Sequence, residues 1–83
     1  MYFVYLIISN KNANIKSYVG YTKNLKKRIS DHNKNKGAKS TRGRYWKLAF
    51  KKKFKNKSLA MKYEYKLKKN YKLRKEIKKR YVE

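Results

Sequence analysis

Glu64 is the carboxylate whose position in the sequence points most clearly to chemistry. It falls on one stripe of a predicted helix with Ala60, Tyr63 and Leu67, so its side chain leans towards the interior. A carboxylate in such a place needs a partner, because burying it alone is costly. Either a Lys or Arg in an ion pair or a hard cation such as Mg²⁺, which binds few protein carboxylates and keeps several waters, would meet that need.

A second pair of functional side chains lies on an earlier predicted helix. Arg28 and His32 are four residues apart and therefore share one helix face. The planar guanidinium of Arg28 can bind a phosphate or neutralise charge on a pentacoordinate phosphorus. His32 is the single His of the chain and can orient a phenol or transfer a proton. Taken alone, the pair slightly favours a plainer interpretation, a solvent-facing Arg and a His packed on a neighbouring element.

The other three acids have positions that indicate the protein surface. Asp31 lies among Lys and Arg residues of the earlier helix and predicts a surface ion pair. Glu76 is embedded in the basic segment 74–79, which predicts a solvated helix face, and Glu83 is the last residue. Glu64 is therefore the acid that these simple interpretations do not cover.

The composition favours a polyanionic partner. Lys and Arg number 27 against 4 Asp and Glu, a formal charge of +23 that opposes compaction and attracts polyanions. Aromatic residues make up 16% of the chain, which is too many for a disordered basic tail. The charge is spread over the whole chain and not along one face of a long helix, so nucleic acid is a better partner than a membrane surface.

The length and the missing residue types narrow the classes of protein further. The 83 residues suffice for one domain, 1–83, and no Cys is present for a disulfide, a zinc knuckle or thiol chemistry. The apolar run at 3–8 is too short to span a bilayer and is a poor signal peptide. We therefore expect an intracellular protein, cytoplasmic or nucleoid/nuclear, with no membrane partner. The sequence does not fix the oligomeric state, for which we favour a monomer.

The pattern along the chain predicts the α/β fold class, as a compact β-β-α-β-α-α unit with a three-stranded antiparallel sheet flanked by helices. The uncharged run at 2–8 suits a strand covered on both faces. Asn24 and Ser58 are suitable helix N-caps. The predicted strands are 2–8, 15–22 and 46–50 with Phe54 as an extension; the predicted helices are 25–32, 59–69 and 73–81; and the predicted loops are 9–14 and 33–43.

Two basic clusters are candidates for phosphate contacts. One is the run 51–53, which consists of three Lys, and the other consists of Lys36, Lys39, Arg42 and Arg44 in the predicted loop. A nuclear-localisation tract is the alternative interpretation of either cluster.

Several motifs together resemble the GIY-YIG nuclease family. The segments Phe3-Val4-Tyr5 and Tyr18-Val19-Gly20, twelve residues apart, resemble the paired signature that names the family. Segment 18–28 is similar to its strand-to-helix segment, which ends in a catalytic Arg, here Arg28. His32 stands where relatives carry His or Tyr. Segments 36–43 and 58–68 are similar to those of a compact, stand-alone subfamily, so the resemblance covers essentially all 83 residues.

The sequence departs from the family pattern at two positions. Phe3 stands where the name-giving Gly would be. Many larger relatives also carry an Asn after the metal-binding Glu, and this chain has no counterpart. Glu76 stands twelve residues after Glu64, and Asn70 comes too early.

The resemblance implies a metal-dependent endonuclease that hydrolyses phosphodiester bonds and recognises backbone or structure rather than a defined sequence. Glu64 would hold one divalent cation, Mg²⁺ or Mn²⁺, and Tyr5 or Tyr18 would be the general base. Arg28 would stabilise developing charge, and His32 would hydrogen-bond a Tyr or the phosphate. An ordinary Tyr has a pKa of about 10, and we expect Arg28, nearby Lys and metal-bound solvent to favour the phenolate. The expected substrate contacts are Tyr21, Lys39, Arg42, Arg44 and Lys68, with DNA a more probable substrate than RNA.

Two other functions are compatible with so much positive charge. One is a weakly active or inactive nucleic-acid-binding module of the same fold, and the other is a basic structural protein that coats RNA. Neither requires the particular set Tyr5, Tyr18, Arg28, His32 and Glu64. The sequence therefore favours the nuclease.

Overall fold

A computed structural model describes residues 1–82 as three strands, three helices and a short 3-10 turn. The elements are β1 (Tyr2–Lys11), β2 (Asn14–Thr22), α1 (Leu25–Asn33), the 3-10 turn (Lys39–Thr41), β3 (Lys47–Phe54), α2 (Lys57–Lys69) and α3 (Tyr71–Val82). The strands form one antiparallel sheet in the order β2-β1-β3. The predicted α/β class, element order and three-stranded sheet are confirmed. Glu83 lies outside the described residues.

The central strand β1 is buried on both faces, as its sequence predicts. Its side chains alternate between the faces, and six consecutive residues from Val4 to Ser9 are buried. The face under α2 and α3 contains Val4, Leu6, Ile8, Val19, Ala60, Leu67 and Ile77. The opposite face contains Tyr5, Ile7 and Trp46, packed by Tyr18, Leu25, Ile29 and Leu48. Tyr5 therefore points towards α1, on the face where the chemistry predicted from Arg28 and His32 would occur.

The β1–β2 hairpin is longer than the sequence predicts. The ladder continues to the pair Lys11 and Asn14, and only Asn12 and Ala13 form the turn, with φ of 53° and 65°. Positive φ at both central residues is the geometry of tight hairpin turns, which Asn adopts easily. The predicted loop at 9–14 is wrong over most of its length, because a hairpin with this turn needs only two residues outside the ladder. The polar residues 9–11 belong to β1, at the end of the sheet where only β1 and β2 pair.

Asn side chains start the first two helices. The Oδ1 atom of Asn24 accepts a hydrogen bond from the Lys27 N–H at 3.1 Å, so the predicted cap is confirmed. The predicted cap at Ser58 is wrong. Asn56 takes this role, with its Oδ1 2.9 Å from the Leu59 N–H, and Ser58 lies inside the first turn of α2. Asn and Ser are both good caps, and the Asn two residues earlier lets the helix begin sooner.

The last helix and the third strand are also longer than predicted. The Oδ1 atom of Asn70 accepts from the Leu73 N–H at 3.1 Å, so α3 begins at Tyr71. Strand β3 runs continuously through its Lys-rich part to Phe54, and Trp46 lies just before it. Within residues 1–82, no helix is long and apolar enough to span a bilayer.

The cap assignment predicts different costs for two neighbouring substitutions. Asn56→Ala should lower the free energy of unfolding by about 1 kcal/mol, because the Leu59 N–H loses its partner. Ser58→Ala should change it by less than about 0.5 kcal/mol, because the exposed Ser58 caps nothing. Urea denaturation followed by circular dichroism measures both. A larger loss for Ser58→Ala would contradict the assignment.

Candidate active site

One cleft collects most of the residues that the sequence analysis selects for chemistry. Its volume is about 430 Å³, and its lining residues are Tyr5, Tyr18, Gly20, Tyr21, Thr22, Arg28 and Glu64. Strands β1 and β2 form its floor, α1 contributes Arg28 and α2 contributes Glu64. The cleft therefore brings together hydroxyl, guanidinium and carboxylate side chains that are far apart in the sequence.

Gly20 makes room for the Tyr5 side chain on the floor of the cleft. The two residues are directly opposite each other in the β1–β2 ladder, so their side-chain directions coincide. A Cβ atom on Gly20 would lie 2.5 Å from the Tyr5 hydroxyl oxygen and 2.7 Å from Cζ. The absence of a side chain on Gly20 allows the Tyr5 ring to lie across β2, which is a physical reason for Gly in the Tyr18-Val19-Gly20 motif.

His32 lies behind Tyr5 and does not line the cleft. Its Nε2 atom is 2.8 Å from the Tyr5 hydroxyl oxygen, and both side chains are buried, at 0% exposure for His32 and 1% for Tyr5. The Tyr18 ring packs against the imidazole with 5.1 Å between the ring centroids. Of the roles that the resemblance implies for His32, this geometry suits the hydrogen bond to a Tyr.

Burial controls the protonation of Tyr5. It raises the pKa of the Tyr5 phenol to about 12, and the Arg28 guanidinium beside it only partly offsets this effect. Arg28 acts in the predicted direction and favours the phenolate, but the cost of placing a phenolate in a buried site is larger. The expected contribution of metal-bound solvent stays a prediction.

His32 is neutral for a related reason. Burial lowers the pKa of the imidazole below its ordinary value, and the positive charge of Arg28 lowers it further, while Asp31 opposes both. The Tyr5–His32 pair at neutral pH is thus a phenol hydrogen-bonded to a neutral imidazole. Two groups that could exchange a proton lie at hydrogen-bonding distance.

Glu64 forms the predicted ion pair and also lines the cleft, and its binding of a cation stays a prediction. Its side chain is 17% exposed, and one carboxylate oxygen is 3.5 Å from Nζ of Lys68, whose side chain is 52% exposed. This distance exceeds the roughly 2.7–2.9 Å of a strong charge-assisted hydrogen bond, and such half-exposed pairs stabilise little. The carboxylate also lines the cleft. Because its ion pair with the half-exposed Lys68 is loose, Glu64 stays accessible from the cleft.

The oxygen-rich lining of the cleft suits a hard divalent cation. Besides Glu64, its lining residues Tyr18 and Thr22 carry hydroxyl groups, and the Thr22 hydroxyl also hydrogen-bonds the Asn24 backbone. Within residues 1–82, no three His, Cys, Asp or Glu side chains form a group that could hold a metal. A cation here would have one protein carboxylate and otherwise mostly water, a ligand set that Mg²⁺ accepts. Neither Asn70 nor Glu76 lines the cleft, and Asn70 is the cap of α3.

The residues predicted to contact substrate are divided between the cleft and the surface around it. Tyr21 lines the cleft and Lys68 flanks Glu64, while Lys39 and Arg42 are exposed at the 3-10 turn. Arg44 differs, because its guanidinium donates to Oγ and the carbonyl oxygen of Ser9, both at 3.1 Å, and to the Asn14 carbonyl oxygen. These bonds hold the loop to the hairpin, which explains Arg44 structurally. Its predicted phosphate contact stays a prediction.

The remaining charged groups mostly have surface roles. Asp31 pairs with Lys27 at 3.2 Å and Glu76 with Arg80 at 3.5 Å, so the predicted surface positions are confirmed. The three Lys at 51–53 are exposed on β3, an edge strand. Cationic side chains on an edge discourage pairing with other chains, which is an explanation that the sequence analysis did not consider.

Thr41 and Gly37 belong to the surroundings of His32, and the sequence analysis overlooked both. Thr41 is fully buried with Oγ1 2.9 Å from His32 Nδ1, and a Cβ on Gly37 would lie 2.3 Å from the same atom. The predicted loop at 33–43 is thus exposed only in part. A polar loop has no periodicity that would mark a single buried Thr. A buried His does imply a hydrogen-bond partner for each of its two ring nitrogen atoms, and this was the available signal for Thr41.

Comparisons with known proteins show the family of the chain. Residues 1–79 match the GIY-YIG catalytic domain. A UPF0213 protein of Vibrio campbellii is 40% identical over 79 residues, which cover 89% of this chain and 69% of that protein. A UPF0213 protein of Bacillus velezensis is 39% identical over 83 residues, or 99% and 78% of the two chains. The UPF0213 protein YhbQ of Escherichia coli is 40% identical over 76 residues, which cover 90% of this chain and 73% of that protein. No solved structure matches the chain.

The lowered pKa of His32 predicts how stability depends on pH. Because the folded chain holds this proton less tightly than the unfolded chain, acid favours unfolding. The free energy of unfolding should be highest at neutral pH and should fall as the pH drops through about 6.5, by at most about 1.4 kcal/mol per unit. Urea denaturation at several pH values measures this slope. His32→Gln should flatten it, and an equally steep profile in that variant would assign the effect to other groups.

Proposed function

Since the chain belongs to the GIY-YIG family of nucleases, we propose that it is a metal-dependent endonuclease that hydrolyses phosphodiester bonds of nucleic acid. The observation that carries the proposal is the convergence of Tyr5, Arg28 and Glu64 in one cleft. In a chain with charge +23, binding of nucleic acid needs no carboxylate, and an unpaired one would repel phosphate. A carboxylate facing the cleft is useful if it holds a cation.

Glu64 would hold one divalent cation, Mg²⁺ or Mn²⁺. Its carboxylate is the acidic group in the cleft, and its ion pair with Lys68, at 3.5 Å, is weak enough to open. When bound, such a cation polarises the scissile phosphate and stabilises the leaving oxygen. Lys68 would then be free to contact the substrate backbone as a point charge.

Tyr5 is a better candidate for the general base than Tyr18. Its pKa of about 12 means that the phenolate is scarce at neutral pH, so Tyr5 can take a proton from water only as its own proton leaves. His32 is in place to take that proton, with Nε2 2.8 Å from the Tyr5 oxygen. Within the described chain, the Tyr18 hydroxyl has no hydrogen-bonded side chain that could do the same.

Arg28 would stabilise the charge that develops on phosphorus. Its guanidinium faces the cleft beside Tyr5, stays positively charged, and presents a planar fork of donors that fits phosphate oxygens. Tyr21 lines the cleft from the opposite face of the sheet and would contact the substrate. The exposed Lys39 and Arg42 would add backbone contacts that fix no sequence, so recognition would follow structure or backbone, with DNA the preferred substrate.

The second candidate is a nucleic-acid-binding module of the same fold with weak or no activity. The charge of +23 favours it, because this charge alone supports sequence-independent binding that weakens steeply with salt. The two functions differ in one measurement. A panel of DNA and RNA duplexes, branched structures and single strands, incubated with Mg²⁺ or Mn²⁺, is cleaved only by the endonuclease.

Substitution of Glu64 tests the metal site directly. Glu64→Gln should abolish divalent-dependent cleavage and weaken Mn²⁺ binding measured by electron paramagnetic resonance, because the amide cannot replace the negative charge. The matched control is Glu76→Gln. Glu76 also pairs with a cation four residues later on a helix at 3.5 Å, but it lies outside the cleft.

Glu76→Gln should leave both cleavage and Mn²⁺ binding unchanged. Thermal unfolding of each variant checks that the fold is retained. Full cleavage by folded Glu64→Gln would exclude the proposed metal site, and equal loss of Mn²⁺ binding in both variants would show that the ion binds unspecifically.

Removal of single hydroxyl groups separates the two candidate bases. Tyr5→Phe should lower the single-turnover cleavage rate by about 10²- to 10⁴-fold, the usual contribution of a general base. Tyr18→Phe should lower it less, and Tyr65→Phe, on the exposed face of α2, should have no effect. A larger loss for Tyr18→Phe than for Tyr5→Phe would assign the base to Tyr18.

A further inference from the structure

The Thr41 hydroxyl lies between His32 and a backbone carbonyl. Its Oγ1 atom is 2.9 Å from His32 Nδ1 and 2.8 Å from the carbonyl oxygen of Ala38. Thr41 and His32 are both 0% exposed, so water does not compete for these atoms. With Tyr5, whose oxygen is 2.8 Å from Nε2, they form a continuous chain of four polar groups from the cleft to the backbone.

The backbone carbonyl fixes the direction of every hydrogen bond in this chain. The Ala38 oxygen can only accept, so the Thr41 hydroxyl donates its one hydrogen to it. Thr41 Oγ1 must then accept from His32, which requires a proton on Nδ1. A neutral imidazole carries one N–H, so Nε2 has a lone pair and accepts the hydroxyl hydrogen of Tyr5.

The surrounding loop holds Thr41 in place. The Thr41 N–H also donates to the Ala38 carbonyl, at 3.1 Å, and the Thr41 carbonyl accepts from the Trp46 indole N–H at 2.8 Å. Asn33, at the end of α1, binds the Trp46 backbone through both atoms of its amide, at 2.6 and 3.0 Å. The helix that carries His32 is thereby tied to the loop that carries its partner.

We propose that Thr41 is a positioning residue of this nuclease, whose hydroxyl holds His32 in the Nδ1–H tautomer so that Nε2 can take the Tyr5 proton as water attacks the phosphate. The proposal rests on the proposed function. In the other tautomer, an N–H on Nε2 would face the Tyr5 hydroxyl as a donor. Tyr5 would then have no acceptor for its own proton in this pair.

The proton movements balance without any further reactant. As the water oxygen bonds to phosphorus and the bond from phosphorus to the leaving ester oxygen breaks, one water proton passes to the Tyr5 oxygen and the Tyr5 proton passes to Nε2 of His32. The leaving oxygen takes a proton from solvent, and the imidazolium returns its proton through Tyr5 to solvent. Because burial raises the pKa of Tyr5 and lowers that of His32, and Arg28 also disfavours the imidazolium while Asp31 favours it, the two transfers must accompany the attack.

The test uses the fact that His32 is the single His of the chain. Long-range ¹H–¹⁵N correlation spectra of the imidazole report which nitrogen carries the proton, with no ambiguity of assignment. In the native protein near neutral pH, we expect a protonated Nδ1 and an unprotonated Nε2. Thr41→Val keeps the branched shape and loses the hydroxyl, so it should lose this single tautomer. Thr41→Ser keeps the hydroxyl and should retain the tautomer.

Cleavage assays with the same variants connect the tautomer to the reaction. Thr41→Val should cleave about 10- to 100-fold more slowly, as found when a partner that fixes a histidine tautomer is removed from metal sites. Its pH–rate profile should also shift, which a merely structural effect would not cause. Thr41→Ser should recover most of the native rate.

Three results would overturn the proposal. They are a proton on Nε2 in the native protein, an unchanged tautomer in Thr41→Val, and an unchanged cleavage rate once the tautomer is lost. The native spectrum needs no variant, so the first result can be obtained even if Thr41→Val does not fold. A native protein that shows the Nδ1–H tautomer but cleaves no nucleic acid would contradict the proposed function and limit Thr41 to structure.

Discussion

The buried hydrogen bond between Tyr5 and His32 is the contact around which the rest of the site is arranged. Two polar side chains without access to water must satisfy each other, because an unpaired buried polar group costs several times what a paired one contributes. This requirement fixes the position of β1 against α1. The hydrogen bond also requires Gly20, because a side chain there would collide with the Tyr5 ring. The second nitrogen of His32 needs a partner as well, and Thr41 in the following loop provides it. The hairpin, the first helix and the following loop thus have a common reason for their arrangement.

Electrostatics explains why Glu64 is exceptional. With a formal charge of +23, any carboxylate on the surface finds a Lys or Arg within reach, and Asp31 and Glu76 do so on their own helices. Glu64 also has a Lys four residues later, yet its side chain is less exposed and faces the cleft. The same Lys is a weak competitor, so the proposed divalent ion would displace it from Glu64 at little cost.

The sequence predicts the parts of this molecule that depend on periodicity or on local chemistry. The buried strand β1, the Asn24 cap, and the shared faces of Arg28 with His32 and of Glu64 with its apolar neighbours all follow from spacing within one element. The misses have a different origin. The choice of Asn56 over Ser58 depends on where α2 can begin once β3 has ended, and the burial of Thr41 depends on where His32 lies. Such features are set by contacts between elements, which no single segment encodes.

The raised pKa of Tyr5 makes its phenolate scarce when no metal is bound, and a scarce phenolate suits the proposed relay. A phenolate stabilised by Arg28 would be abundant and correspondingly weak as a base. A buried phenol with a pKa of about 12 is a strong base whenever its own proton is withdrawn. Burial therefore makes the Tyr5 phenolate rarer and also makes it a stronger base. In the proposed mechanism, the neighbouring imidazole would accept the Tyr5 proton at the moment when Tyr5 takes one from water, so the base would be available during the attack. On this view the dry environment of Tyr5 and His32 is a requirement of the mechanism, and the loop that excludes water from His32 is part of the catalytic apparatus.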